Sequence, residues 1–463
     1  MVENSRDGLM ETRGQIGRLR TMGHGNVLVL LLLTAVFRAV VLLWPGAFTT
    51  DPDSYQRVAQ NLASRGIFAL NGEPTAYRPP LYPVVLSGIM CAVGPYWRIG
   101  LGIIHWLFGI GTVLCVIYLV RRRSCRVCAL AVLFVIADPI LLHHSRLIMT
   151  ETQSVFLVAV TLALFHAGTS RAERIWWFFG GVFLGLCSLT RPTFLPWPIL
   201  AVLLWLLGSV QLSRDTSDMT RPSVSDVDSL PPKAHGRRLA GVGRIGLAAI
   251  GFAVAIVPWG VRNWLILGRP IIGTTHGGYT FYLANNPWYY KYLRQPGVKP
   301  VWDATEFNAQ WVKTLEAKQL HDELAADRLA YELAFETIRH QLTMFLRACY
   351  DRFCQLWRLI PNRLDQDEPL VLWGLRHGVG LFYLVEYVLV GLGILGWLKR
   401  RDFQTPDRVL AVLVCALVLT VVGIHLFYWT NMRMRAPLIP MLALLAGEGY
   451  HYLTSRRLET EQT

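Results

Sequence analysis

Long apolar runs alternate along the chain with short polar stretches in which basic residues cluster. The runs lie near 26–45, 98–120, 127–142, 150–169, 174–190, 193–211, 244–266, 374–398, 407–428 and 436–453. A helix needs roughly 20 mostly apolar residues to cross about 30 Å of hydrocarbon. The pattern therefore predicts an all-α polytopic membrane protein of about ten spans, within a range of ten to twelve. One further stretch, 79–97, carries Pro79, Pro80, Pro83 and Pro95, so its ends are broken and its length is marginal for a span.

Parity decides how that stretch behaves. If 79–97 does not cross, both termini share a side with Arg121-Arg122-Arg123, Arg171–Arg174, Arg237-Arg238, Lys399-Arg400-Arg401 and Arg456-Arg457. That is the cytoplasmic side by the positive-inside rule. If it does cross, nearly all of these clusters move outside. The segment is thus expected to be juxtamembrane or re-entrant, buried against protein.

The organisation that follows has a cytoplasmic tail over 1–25 and a transmembrane module over 26–266. The module carries an outside loop at 46–97 and a flexible cytoplasmic loop at 212–243. A large outside loop then covers 267–373, C-terminal spans cover 374–454, and a cytoplasmic tail covers 455–463. In the large loop, Leu324, Leu329, Leu333, Ile338, Leu342, Phe345, Cys349, Phe353 and Leu356 recur at helical spacing, which predicts one long amphipathic helix or two joined.

Composition narrows the class. With 53% hydrophobic and 16% charged residues, the chain is neither disordered nor an ordinary soluble domain. The net charge of +14 is spread over loops between apolar runs, so it orients helices and does not mark a nucleic-acid surface. The eight cysteines show no disulfide framework, and Cys125-x-x-Cys128 lacks the second pair that a zinc site needs.

Candidate chemistry collects on the outside. Asp51 and Asp53 open the first loop, where Asp51-Pro52 also reads as the start of a helix. Either carboxylate is a candidate general base or metal ligand. Glu151 opens a span, and an ionisable group at that depth is a functional candidate. His143, beside His144, is either an interfacial residue or a fourth metal ligand with Asp51, Asp53 and Glu151. Arg78, Arg146, Arg191, Arg262, Arg433 and Arg435 all lie at outer ends of spans, against the charge bias. Any one of them suits snorkelling to lipid phosphates. Six together point to a site for an anionic group, because guanidinium binds phosphate with two parallel hydrogen bonds.

Several segments carry a resemblance. Asp51-Pro52-Asp53-Ser54-Tyr55 and Tyr77-Arg78-Pro79-Pro80-Leu81-Tyr82-Pro83 resemble the first loop of GT-C membrane glycosyltransferases. The group resembled is the bacterial relatives of protein O-mannosyltransferases and of the lipid A aminoarabinose transferase. Ser145-Arg146 through Thr150-Glu151, Leu189-Thr190-Arg191-Pro192 and Pro258-Trp259-Gly260-Val261-Arg262-Asn263 continue it. So do Gly277-Gly278, Asn285-Asn286-Pro287 and Arg433-Met434-Arg435-Ala436-Pro437.

The resemblance implies a GT-C-like helix bundle in a bacterial inner membrane, with its site facing the periplasm. It implies a polyprenyl-phosphate sugar as donor and a lipid, glycan or protein hydroxyl as acceptor. A first-loop Asp would act as base in an inverting transfer; the matching position is Asp51, with Asp53 close behind. Many relatives carry an acidic residue where Pro52 stands, which leaves open which carboxylate acts. Arg78, Arg191 and Arg435 become candidates for stabilising the leaving phosphate, and Tyr82, Arg146, Arg262, Asn286 and Arg433 for binding substrate. Glu151 would orient the acceptor or share a divalent metal with the first-loop Asp. A flippase for lipid-linked sugars and an oligosaccharide polymerase or ligase are the rival readings.

Overall fold

The computed structural model describes residues 23–219, 233–296, 301–363, 367–399 and 405–460. The expected N-terminal tail over 1–22, the middle of the 212–243 loop and residues 461–463 lie outside the described residues.

The chain opens with α1 (His24–Leu43), followed by an outside loop that contains α2 (Tyr55–Arg65). A two-residue antiparallel hairpin, β1 (Ala69–Leu70) with β2 (Glu73–Pro74), turns at Asn71-Gly72. Both turn residues have positive φ, the type I′ geometry that Asn-Gly suits. Then come α3 (Leu81–Val93), α4 (Trp97–Val120), α5 (Cys125–Ala137) and the short α6 (Pro139–His144). They are followed by α7 (Glu151–Ser170), α8 (Ile175–Thr190), α9 (Pro196–Met219) and α10 (Lys233–Leu267). The large loop folds as α11 (Gly277–Ala284), α12 (Pro287–Arg294), α13 (Thr305–Ala317), α14 (Glu323–His340) and α15 (Leu342–Leu356). The chain ends with α16 (Leu370–Lys399), α17 (Thr405–Phe427) and α18 (Ile439–Thr460).

Six helical segments among the described residues are long and apolar enough to cross a membrane, and shorter apolar helices accompany them. The protein is a multi-pass membrane protein. Two pairs of long helices meet through glycine. A methyl group on Gly181 or Gly251 would collide with the backbone where α8 meets α10, and one on Gly393 or Gly449 would do so between α16 and α18. Close backbone approach of this kind is how helices gain packing energy where no water is available to be expelled.

Segment 81–120 is not one rod. The chain reverses at Gly94, whose φ is +54°. The Tyr82 hydroxyl then lies 3.3 Å from His105 Nε2, whereas 23 residues of continuous helix would separate them by about 34 Å. Thus α3 folds back along α4 as a 13-residue arm, too short for the hydrocarbon thickness.

One departure and one of the expected alternatives appear in the loops. Helix covers 212–219 and 233–243, where composition suggested a flexible loop; Lys233–Ala240 is rich in helix formers and free of proline. The amphipathic pattern of 324–356 forms two helices that break at Gln341 (φ −138°, ψ 51°). The large loop is also latched to the first loop. Glu323 accepts hydrogen bonds from Thr75 Oγ1 (2.6 Å) and the Ala76 N–H (2.9 Å); within the large loop, Asp327 accepts one from the Gly278 N–H (2.6 Å).

Candidate active site

Beneath that latch lies a cavity of about 570 Å³, where the first loop meets the ends of α7, α8 and α17. The two first-loop carboxylates part company here. Asp51 caps α2: Oδ1 accepts the Tyr55 N–H and Oδ2 the Gln56 N–H, both at 2.9 Å. Burial pushes the Asp51 carboxyl above its usual range, and those two bonds oppose the shift. Two residues on, Asp53 lines the cavity.

The charged lining forms an alternating array. Arg78 Nη2 lies 3.5 Å from Asp53 Oδ1; Arg433 Nη1 lies 3.7 Å from Asp53 Oδ2 and 3.6 Å from Glu151 Oε1; Arg191 Nη1 lies 3.8 Å from the same Glu151 oxygen. Local structure aims each group. Glu151 is the first residue of α7 and is 1% exposed. Arg191 is in extended conformation, because Pro192 ends α8 there. Arg433 sits in a 3₁₀ turn over Met432–Leu438, whose start is capped by Asn431 Oδ1 accepting the Arg433 N–H.

Three guanidiniums against two carboxylates leave one excess positive charge on the cavity wall. Arg78 Nε, Arg191 Nη1 and Arg433 Nε are buried and make no hydrogen bond among the described residues, and neither does Glu151 Oε2. The site therefore holds guanidinium N–H groups whose hydrogen-bonding capacity is not met within the described residues.

Other candidates from the sequence lie elsewhere. Arg146 donates to the Trp44 and Pro45 carbonyls, tying the first loop to the 145–150 turn. Arg262 donates to the carbonyls of Thr75 (2.8 Å) and Phe68 (2.9 Å). Arg435 is fully buried, donates to the Leu356 and Arg358 carbonyls and lies against the Tyr383 ring. Asn286 caps α12 through Oδ1, and its amide donates back to Tyr282 and Leu283. Tyr82 is buried against His105 and Tyr55. None of these five lines the cavity, and neither does Asp51.

His143 is exposed at the end of α6, edge-on to His144, and away from the carboxylates. No group of three His, Cys, Asp or Glu able to hold a metal occurs among the described residues. Asp53 and Glu151 share Arg433, and hard cations want six or more oxygens. With both carboxylates ion-paired to Arg433, the described side chains offer no carboxylate pair free for a divalent metal.

The sequence left out one whole side of the cavity. His276 and Tyr279 from the start of the large loop, Tyr331 of α14, and Tyr428 and Trp429 after α17 complete its lining. For His276 and Tyr279 the signal in the sequence was the density of aromatic residues in 276–292, which no spacing rule assigns to a site. Burial, then the charge of Arg78, holds His276 well below the usual histidine range, so its ring is neutral at neutral pH.

Residues 79–262 match the family model described as dolichyl-phosphate-mannose-protein mannosyltransferase. That match takes in Glu151 and Arg191 and begins one residue after Arg78. Among solved structures, the chain is similar to the oligosaccharyltransferase AglB of Archaeoglobus fulgidus in complex with an inhibitory peptide and a dolichol-phosphate. The TM-score is 0.50 at 14% identity, over 94% of this chain and 51% of that one. The same enzyme with zinc and sulfate gives 0.50 and 13%, over 92% and 49%. The fold is that of the GT-C membrane glycosyltransferases. The chain spans about half the length of those oligosaccharyltransferase structures. ArnT from Cupriavidus metallidurans bound to undecaprenyl phosphate is a looser likeness, with a TM-score of 0.41 at 15% identity over 93% of this chain and 78% of that one. A comparison with curated protein sequences finds no match. Within the GT-C fold, the array lies where the first loop meets the helix ends, on the cavity side of the bundle.

Proposed function

We propose that the protein transfers a sugar from a polyprenyl-phosphate donor to an acceptor hydroxyl, with Asp53 as general base. The observation that carries this reading is the array Arg78–Asp53–Arg433–Glu151–Arg191 on one cavity wall. A phosphodiester carries one negative charge, which matches the one excess positive charge of that wall. The family matched over 79–262 and the dolichol-phosphate named with the archaeal enzyme are consistent with such a donor.

In the proposed reaction the acceptor oxygen attacks the anomeric carbon while Asp53 takes its proton. The bond from that carbon to the phosphate oxygen breaks, the configuration inverts, and polyprenyl phosphate leaves. The charge that develops on the leaving phosphate meets Arg191, Arg433 and Arg78, whose unused N–H groups are already in place. Glu151 orients Arg191 and Arg433. Asp51 is assigned to the helix cap, because both its oxygens are already engaged.

The proposal includes ten spans, with the cavity on the side away from the basic loops, which is the periplasmic side of a bacterial inner membrane. The folding back of α3 supports that parity. Labelling a single cysteine placed at 73 from outside, but not one placed at 123, is the expected result.

The deciding test is reconstitution with a panel of polyprenyl-phosphate sugars. Sugar release or transfer is expected from one of them, lost in Asp53→Asn and retained in Asp51→Asn. Intact donor appearing on the opposite leaflet, equally in the wild type and Asp53→Asn, would instead establish a flippase.

A further inference from the structure

The proposed mechanism uses the charged wall of the cavity and leaves the adjoining aromatic wall unexplained. The Tyr77 and His276 rings lie with centroids 4.2 Å apart, and His276 stacks on Tyr279 at 5.0 Å with 19° between planes. Tyr331 and Tyr428 close the rim through a hydroxyl–hydroxyl bond of 3.0 Å. These residues come from the first loop, the large loop and the end of α17, so the wall is assembled only in the folded protein.

Its chemistry differs from that of a lipid groove. Core packing buries aromatic rings completely, whereas Tyr77, His276 and Tyr279 remain partly exposed and line the cavity. Buried polar atoms go with the rings: His276 Nδ1 has no hydrogen-bond partner among the described residues. A prenyl chain offers that nitrogen nothing. A pyranose ring offers an apolar face of C–H bonds and a rim of hydroxyls, which is what flat rings beside an unused nitrogen recognise.

The position agrees. With the donor phosphate on the arginines, the sugar joined to it through one oxygen must lie next to them, and Tyr77 and His276 stand beside Arg78 on the same cavity lining. Cation–π contact of Arg78 with Tyr77 (5.1 Å) links the two walls.

We propose that the Tyr77–His276–Tyr279 run is the sugar subsite, with the pyranose ring of the donor lying against it and His276 hydrogen-bonding a ring hydroxyl. This rests on the lipid-phosphate sugar transferase reading and adds where the sugar sits and what selects it.

The test separates the two claims by separating the lipid from the sugar. Binding to the full-length protein in nanodiscs is measured for undecaprenyl phosphate and for undecaprenyl-phosphate mannose, glucose and aminoarabinose. At least one sugar-bearing lipid is expected to bind tighter than the bare lipid. Tyr279→Leu should weaken that lipid about fivefold and leave the bare lipid unchanged, and Tyr77→Leu should act in the same direction. Tyr279→Phe should restore binding, since the platform needs the ring and not the hydroxyl that donates to Asn308 Oδ1. Arg191→Ala should weaken every lipid. If Tyr279→Leu weakens the bare lipid equally, the wall holds prenyl and the subsite is overturned while the function stands. The subsite is likewise overturned if the wild type gains nothing from any sugar. If no lipid binds the wild type, the function and the subsite fall together.

Discussion

Six arginines sit at the same end of the helix bundle and divide into two sets by what their guanidiniums meet. Arg146, Arg262 and Arg435 each donate to two backbone carbonyls, at 44–45, 68 and 75, and 356 and 358. They fasten the irregular chain around the bundle by supplying donors to its backbone carbonyls. Arg78, Arg191 and Arg433 donate to no carbonyl among the described residues; they meet carboxylates at 3.5–3.8 Å. The first set uses donors to hold the fold, and the second faces carboxylates and lines the cavity. That placement, and not the charge that all six share, marks the site.

The largest expected effect lies on the cavity side. Asp53→Asn is expected to lower turnover by about 10² to 10⁴-fold with the protein still folded, whereas Asp51→Asn should lower it less than tenfold. Equal losses in the two would erase the distinction between cap and base. Next, Arg191→Ala is expected to weaken polyprenyl-phosphate binding at least tenfold with little change in melting temperature. Arg262→Met should do the reverse: stability falls by about 1–3 kcal/mol as two carbonyls lose their donor, while lipid affinity per folded molecule holds. A clear shift of lipid affinity in Arg262→Met would show that the two sets are not separate.

Smaller again is the cap itself. Asp51→Ala is expected to cost about 1 kcal/mol, read as a lowered unfolding midpoint. The smallest effect concerns pH. His276 is held below its ordinary value by burial and by Arg78, so on acidification below about 6.5 the unfolded chain takes up a proton that the folded chain refuses. The contribution is complete above that pH and is lost as pH falls toward the folded value. Asp327, facing the same loop, has its carboxyl raised by burial and acts in the opposite sense. Melting curves between pH 7.5 and 5 should therefore show a shallower decline in His276→Gln than in the wild type.

Much of the bundle was legible in the sequence because hydrophobic length is a local property. The ten apolar runs each correspond to a helix, and the prolines around 79–97 foretold a segment that does not continue the next span. The chemistry was legible only as a short list. Asp51 and Asp53 differ by two positions, and nothing in their spacing says which points into a cavity; Ser54 in a left-handed conformation turns one toward the α2 backbone and leaves the other free. Likewise, Arg433 and Arg435 sit on one short turn, yet one meets Asp53 and Glu151 and the other meets carbonyls from the end of α15.

The sequence by itself determined that the chain lives in a membrane, roughly where its apolar helices lie, and which polar stretches carry the charged side chains. It did so because the partition of apolar runs and the pKa class of a side chain need no neighbours. Only the tertiary structure decided which arginines line the cavity, which carboxylate joins them, and that His276, Tyr279 and Tyr331 of the large loop supply its aromatic lining. Those outcomes depend on which backbone groups come within hydrogen-bond reach, and long-range contacts such as Glu323 with Thr75 and Ala76 settle that after the helices have packed.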